Sequence, residues 1–162
     1  MRVTAAASCI ARLLACSLTA LVLPVGAFTL SDGTSLQCVA RGVTVPEEDV
    51  SPASADFTGR AVSAGPGYRI LWNRARLDSL PPVMRDFLFF HECAHAQLRS
   101  PEELAANCAG LKAMRAAGRA GFTVESKIAA FYGPGNAYWT RTLACANASA
   151  EGEPESSSNT SR

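Results

Sequence analysis

Residues 91–95 read H-E-C-A-H and contain both histidines of the chain. Apolar side chains recur around them at spacings of three and four, which predicts a helix over residues 83–98. Histidines four residues apart share one face of a helix. This helix is mostly apolar, so its imidazoles and Glu92 are expected to be buried, which is costly for unpaired polar groups. The stretch therefore favours a fold in which this polar face binds a ligand.

The polar face of this helix is suited to a metal ion. Two imidazoles on one helical face can bind Zn²⁺, and a glutamate beside the first can handle the protons of a metal-bound water. Zinc needs a third protein ligand, and the chain has no third histidine. A carboxylate or a thiolate must therefore supply that ligand.

Glu103, eight residues after the second histidine, is the first candidate for the third ligand. The next helix returns antiparallel, which can bring its first turn back towards the metal. Glu102 and Cys108 are the alternatives. Glu103 also fits a capping box that starts at Ser100, which gives it a purely structural interpretation. Cys93 lies about 200° around the helix from each histidine and points away from the metal face.

The other sequence patterns predict an α+β fold, with a short β-sheet packed on the helix of residues 83–98 and about three further helices. Strand patterns lie at residues 28–37, 39–45 and, most clearly, 68–73. In the last of these, Tyr68, Ile70 and Trp72 would line one face. Residues 46–67 and 77–82 predict mostly loop. The further helices are expected at about residues 101–118, 124–132 and 137–146.

The first 27 residues have the pattern of a secretory signal peptide. Basic side chains precede an apolar run over residues 13–23, and small residues lead to an expected cleavage after Ala27. The run is too short for a normal membrane span, and no second one follows. The chain is therefore expected to be exported, as a periplasmic or secreted protein. A lipoprotein signal ending at Cys16 and an uncleaved anchor are the alternatives.

The expected mature chain divides into a domain over residues 28–147 and a polar tail over residues 148–162 that cannot order itself. Removal of residues 1–27 takes away Arg2 and Arg12, which reduces the 15 basic side chains to 13, against 14 acidic ones. This balance predicts no nucleic-acid partner and no polybasic membrane patch. No stable membrane span is expected after signal removal.

Four cysteines remain in the expected mature chain: Cys38, Cys93, Cys108 and Cys145. An even number in an exported chain predicts two disulfides, which can form in three ways. We favour Cys93–Cys108, which would join two consecutive helices, and Cys38–Cys145, which would join the start of the domain to its end. Buried free thiols are the alternative.

Residues 91–107 resemble the gluzincin branch of the zincin metallopeptidases, the thermolysin-like clan. That branch combines H-E-x-x-H with a downstream E-x-x-x-D on the following helix, and residues 103–107 of this chain read E-L-A-A-N. The resemblance implies a minimal zincin-like fold and a Zn²⁺ site in which Glu92 is the general base. It implies three zinc ligands: His91, His95 and Glu103.

Asn107 occupies the position at which that branch has an aspartate that orients a ligand histidine. Its carbonyl oxygen can accept the imidazole N–H but carries no charge, so it raises the basicity of the ligand less. The gap between the two motifs is also short for thermolysin-like enzymes, so the turn between the helices must be tight. The chain is similar, too, to small exported proteins with H-E-C-x-H followed by E-x-x-A-(D/N)-C, a similarity that names no substrate.

The resemblance implies an exported zinc metallopeptidase that acts on peptide or protein substrates. Zinc would lower the pKa of its bound water towards about 7, and Glu92 would pass the proton to the leaving amine. The candidate oxyanion donors are Tyr132, Tyr138 and Arg141. The strand of residues 68–73 is the candidate edge for an extended peptide, unless it is an ordinary inner strand.

Two other functions remain open at this point. The first is a non-catalytic, zincin-like zinc-binding or interaction protein, because a chain this short has little material for a second lobe that closes a cleft. The second is an exported helical interaction module in which the histidine motif is coincidental.

Overall fold

The structure is a computed structural model that describes residues 26–51 and 55–148. Apart from Gly26 and Ala27, the expected signal peptide lies outside these residues, and so does the expected tail apart from Ala148. Within them, five helices and seven short strands form the predicted α+β fold. None of the described helices is long and apolar enough to cross a membrane.

Two small hairpins form the N-terminal part of the described chain. β1 (Phe28–Thr29) pairs with β2 (Ser35–Leu36), and β3 (Val39–Ala40) pairs with β4 (Val43–Thr44), both antiparallel. The first hairpin turns at Gly33, whose φ of 85° favours glycine. The strand signals over residues 28–45 are therefore confirmed, as two hairpins.

A three-stranded sheet follows, in the order β5-β7-β6. Its central strand, β7 (Gly67–Trp72), is parallel to β5 (Glu47–Asp49) and antiparallel to β6 (Gly59–Ala64). Ile70 and Trp72 are fully buried, whereas Arg69 is exposed and Leu71 is half-buried. The predicted inner face of this strand is confirmed.

The prediction that residues 46–67 are mostly loop is wrong, because β5 and β6 both lie there. Glycine, alanine and serine have low strand propensity, so the sequence G-R-A-V-S-A of β6 carries little strand signal of its own. Pairing with the strongly apolar β7 through a tight turn at Gly65 decides its conformation. A short helix, α1 (Arg74–Asp78), also covers the start of the loop predicted over residues 77–82. Asn73 caps this helix by accepting a hydrogen bond from the Arg76 N–H.

Helix α2 (Pro82–Leu98) is the centre of the fold. It begins at a proline, which needs no N–H partner at a helix start, and ends at Arg99 in the left-handed conformation with φ of 53°. One side of α2 packs against the sheet, and another packs against α3 (Glu103–Ala116). Because α2 is covered on several sides, its residues from Phe89 to Ala96 are all buried.

The remaining helices are α4 (Phe122–Tyr132) and α5 (Ala137–Ala148). Helix α5 packs on α3, and α4 contacts α2. The three helices after α2 confirm the sequence prediction to within a few residues. The expected domain end at residue 147 falls one residue short of the end of α5.

The two disulfides join Cys38 to Cys93 and Cys108 to Cys145. All four cysteines are paired, but the favoured connectivity is wrong. Helix α3 packs on the histidine face of α2, and Cys93 points away from that face. Cys93 therefore meets the N-terminal hairpins, and Cys108 on α3 turns towards α5 instead.

Gly110 fixes how closely α3 approaches α2. A Cβ atom at this position would lie 3.0 Å from the N and Cα atoms of His91 and 3.0 Å from the carbonyl carbon of Phe90. These are backbone atoms of a buried helix, so they cannot move aside cheaply. Glycine is therefore required where α3 crosses the first histidine.

We expect Gly110→Ala to lower the free energy of unfolding by about 1–3 kcal/mol, because the added methyl group forces the two helices apart. Urea denaturation of the disulfide-intact protein measures this change. Gly121→Ala is the matched control, because a Cβ there meets nothing within 4 Å. Equal stability of the two variants would contradict the close-packing explanation.

Candidate metal centre

Three potential ligand atoms from two helices converge at the start of α3. The Nε2 atoms of His91 and His95 lie 3.1 Å apart. The Oε2 atom of Glu103 lies 3.2 Å from the first and 3.6 Å from the second. Both histidines are buried, while the Glu103 side chain is 66% exposed. The site therefore has a buried floor and one open side.

A second carboxylate, that of Glu92, lies beside the same atoms. His91, Glu92 and His95 form a group of side chains that could hold a metal ion. The Oε1 atom of Glu92 is 4.0 Å from His91 Nε2, farther than the Glu103 oxygen. Glu103 is therefore the better-placed ligand, and Glu92 is left for another role.

The distances fit a four-coordinate metal ion. Ligand atoms bound at 2.0–2.2 Å around a tetrahedral ion are separated by about 3.3–3.5 Å. The three observed separations, 3.1, 3.2 and 3.6 Å, bracket this range. Lone pairs brought so close together repel one another unless a proton or a cation lies between them. The donor set thus suits a cation.

The turn between α2 and α3 fixes the tautomer of His95. The carbonyl oxygen of Ser100 lies 2.7 Å from His95 Nδ1, and a carbonyl can only accept a hydrogen bond. Nδ1 therefore carries the proton, and the lone pair of Nε2 faces the centre. The sequence does not reveal this contact, because it depends on the path of the chain through the turn.

His91 has a different environment. Its Nδ1 atom is buried without a hydrogen bond of standard geometry, and so is Nδ2 of Asn107. Burial, helped by neighbouring His95, lowers the pKa of His91 to about 4, although Glu103 and Asn107 partly oppose the shift. The imidazole is thus neutral near pH 7 and can donate its lone pair. Asn107, itself buried, interacts with this histidine and raises its pKa; its expected role in orienting the ring stays a prediction.

Glu92 is held by the backbone of the sheet. Its Oε2 atom accepts a hydrogen bond of 2.7 Å from the N–H of Ala61 on β6. Burial raises the pKa of Glu92 to about 7, although the Ala61 N–H partly opposes this shift. One carboxylate oxygen is therefore fixed, and the group is balanced between its two protonation states near neutral pH.

Strand β6 approaches Glu92 closely because residue 59 is a glycine. A Cβ atom at Gly59 would lie 3.1 Å from Glu92 Cγ and 2.9 Å from Cε3 of Trp72. The sequence analysis missed Gly59 and Ala61 as site residues. The only sequence signal was a pair of small residues two positions apart, which is too common to be informative.

The site opens into a cleft of about 690 Å³ between α2, β6 and the start of α3. A smaller cavity of about 320 Å³ lies on the other side of His91 and is largely apolar and aromatic. Tyr132 and Tyr138 line this smaller cavity together with Glu103. Arg141, the third predicted oxyanion donor, is exposed and lines neither cavity.

Cys108 and Glu102, the alternative third ligands, are both less well placed than Glu103. Cys108 is joined to Cys145 and has no free thiolate. Glu102 is exposed at the N-cap of α3, where the Ser100 hydroxyl accepts a hydrogen bond from its N–H. The Glu103 side chain contacts the imidazoles instead of completing a capping box.

The prediction that the strand of residues 68–73 forms the cleft edge is wrong. β7, which covers most of residues 68–73, is the inner strand of its sheet, and β6 is the edge strand beside the site. Only Tyr68 of β7 lines the cleft, next to Gly59, Ala61 and Ser63 of β6.

Comparisons with protein-family models, curated proteins and solved structures find no match to this chain.

We expect Glu103→Ala to weaken binding of Zn²⁺ or Co²⁺ by at least about 100-fold, since even supporting residues around a metal contribute about 10- to 100-fold. Competition with a chromophoric chelator measures the affinity, and the visible spectrum of Co²⁺ reports the ligand set. Glu102→Ala is the matched control and should bind as wild type does. Unchanged affinity in Glu103→Ala would exclude this carboxylate as a ligand.

Proposed function

We propose that this protein is an exported zinc-dependent metallopeptidase with a minimal zincin-like fold. The observation that carries the proposal is the convergence of two imidazoles and one carboxylate, with a second, buried carboxylate beside them at the floor of an open cleft. Two histidines and one glutamate are a ligand set of catalytic zinc sites. The site thus combines a metal position with an adjacent proton acceptor.

His91, His95 and Glu103 would hold the zinc ion. When bound, zinc supplies Lewis-acid polarisation of a substrate carbonyl and increases the acidity of a coordinated water. The chain's own contribution is to orient the His95 ring through the Ser100 carbonyl, which turns Nε2 to the centre, and to keep the His91 imidazole neutral by burial. Proton transfer would be carried out by Glu92, and strand β6 would position the substrate.

Glu92 would be the general base and then the general acid. Its Oε2 atom is fixed by the Ala61 N–H, which leaves Oε1 to take a proton from the attacking water and deliver it to the leaving amine. A pKa of about 7 suits both transfers, because a group that gives and takes a proton works best near the operating pH. A metal ion nearby would lower this pKa, which favours the basic form at the start of the cycle.

Strand β6 provides a template for an extended peptide. The N–H of Asn73 donates to the carbonyl of Thr58, so by the antiparallel register residues 60, 62 and 64 also face β7. Residues 59, 61 and 63 therefore point their backbone groups away from β7, along the edge that lines the cleft. The Ala61 N–H on this edge already binds Glu92, which leaves its carbonyl and the backbone groups of Gly59 and Ser63 for a peptide. A peptide could pair along this edge beside Glu92, whereas a compact small molecule would leave it unused.

The cysteine chemistry agrees with export. Four paired cysteines within the described residues indicate an oxidising compartment, because thiols stay reduced in the cytosol. Together with the signal-peptide pattern, this supports a periplasmic or secreted enzyme acting on peptides or proteins.

We expect Glu92→Gln to retain the metal and to lower kcat for peptide hydrolysis by about 10²–10⁴-fold, because glutamine cannot accept the proton. Turnover of a mixed peptide library, followed by mass spectrometry, measures activity, and metal analysis measures occupancy. Glu48→Gln, on the exposed side of β5, is the matched control.

Activity that survives Glu92→Gln would exclude Glu92 as the base. A zinc-loaded wild type that cuts nothing in the library would instead favour the non-catalytic zinc-binding protein.

Tyr138 is the better of the two aromatic candidates for stabilising the oxyanion. Both tyrosines line the cavity beside His91, but the hydroxyl of Tyr132 interacts with Asn107, whereas no hydrogen-bond partner affects the pKa of Tyr138. Burial raises the pKa of Tyr138 to about 12, helped by the charge of Glu103, so it stays protonated and can donate.

We expect Tyr138→Phe to lower kcat by about 10²–10³-fold with little change in KM, as is typical when one oxyanion donor is removed. Steady-state kinetics on a peptide that the wild type cleaves provide the measurement. Tyr132→Phe is the comparison, and a larger kcat loss there would reverse the assignment.

A further inference from the structure

A third cavity, apolar and of about 410 Å³, lies beside the β3–β4 hairpin. Most of its lining carries no charge; the side chains that form its walls include Val43, Val45, Pro46, Pro66, Tyr68 and Ala96. Val43 at its rim is 68% exposed, an unusual exposure for a large apolar side chain. The cavity thus offers an apolar surface that the chain itself does not cover.

Among the described residues that line this cavity, two side chains are charged, Arg41 and Arg99. The Nη2 atom of Arg99 donates a hydrogen bond of 3.0 Å to the Pro66 carbonyl, which holds its guanidinium at the rim. Across residues 26–51 and 55–148, no carboxylate lies within ion-pair distance of either arginine. The cavity therefore combines an apolar floor with an uncompensated positive rim.

This cavity continues the cleft of the metal centre. Tyr68 lines both. Around the end of α2, Ala96 and Arg99 line the cavity, and their chain neighbours His95 and Ser100 line the cleft. Along β6 the lining passes from Ser63 of the cleft to Ala64 of the cavity. The cavity therefore adjoins the cleft at the end of both elements.

The spacing corresponds to a short stretch of peptide. Ala61, which holds the Glu92 carboxylate, is three residues before Ala64. At a rise of about 3.3 Å per residue, the cavity begins about 10 Å along the strand from the base. An extended peptide paired with the same strand would cover this distance with about three residues.

We infer that this cavity is a remote subsite of the cleft. It binds an apolar side chain of the peptide about three residues from the bond that is cut, and Arg41 and Arg99 bind an acidic residue next to it. The inference rests on the proposed peptidase function, because the position of the subsite is given relative to the bond that is cut. The binding preference itself can be measured without turnover. The preferred ligand is an extended peptide with an apolar-acidic pair.

The test uses the zinc-loaded Glu92→Gln protein and blocked, fluorescein-labelled decapeptides of alanine and serine that contain one Leu-Glu pair. Fluorescence anisotropy measures Kd for this peptide and for matched Gly-Glu and Leu-Lys peptides. We expect the Leu-Glu peptide to bind about tenfold more tightly than the Gly-Glu peptide, as for burial of one apolar side chain. The preference over Leu-Lys should weaken at high salt.

The deciding variant is Arg41→Glu with Arg99→Glu, made in the same background. It should invert the charge preference, so that the Leu-Lys peptide binds better than the Leu-Glu peptide, by about twofold to tenfold. Each exposed ion pair is expected to change affinity by up to about fivefold. Arg76→Glu with Lys127→Glu, two exposed basic residues outside this cavity, is the matched control and should leave the preference unchanged.

A charge preference that is the same in both double variants would overturn the inference, and so would equal binding of the Leu-Glu and Gly-Glu peptides. Self-association that buries the cavity and blocks the peptide would overturn it too, in favour of a second copy as the occupant. Cleavage assays with the wild-type zinc enzyme separate the two proposals. Inverted binding without any cleavage would support the subsite and reject the peptidase, whereas cleavage without discrimination would do the reverse.

Discussion

The close contact between α2 and α3 is the constraint on which the site depends. Gly110 lets α3 cross directly over the His91 backbone, and this sets where the first residue of α3 lies. Two hydrogen bonds join Ser100, in the turn between the helices, to His95. The Ser100 N–H donates to the His95 carbonyl, and the Ser100 carbonyl accepts from the His95 imidazole. Glu103 follows this turn directly, so its carboxylate reaches the two imidazoles.

The sheet completes the site from the opposite side and gives the two carboxylates different environments. Glu103 projects from a helix start towards solvent, whereas Glu92 is buried under β6 and bound to the Ala61 N–H. Since Gly59 has no side chain, the strand can lie directly against Glu92 and Trp72. One carboxylate is thus open to solvent beside the imidazoles and the other is buried and fixed, and this difference is the basis for proposing different roles for them.

The disulfides and one buried carboxylate hold these layers together. Cys93 binds the N-terminal hairpins to the back of α2, and the backbone N–H and hydroxyl of Ser31 both donate to Asp86 on the same helix. Cys108 joins α3 to α5. Each disulfide closes a long loop, which in the chain-entropy model stabilises the fold by about 4 kcal/mol. A small domain with a polar site in its core depends on such cross-links.

The sequence by itself determined the α2 helix, the shared face of His91 and His95, and the tight return to Glu103. These follow from local periodicity and from helix-breaking residues at fixed spacings, which act over a few residues. Only the tertiary structure decided the pairing of Cys93, the edge position of β6 and the contact between Ala61 and Glu92. These depend on which faces of distant segments meet. Local propensity cannot specify that, because a strand as weakly patterned as residues 59–64 takes its conformation from its partner.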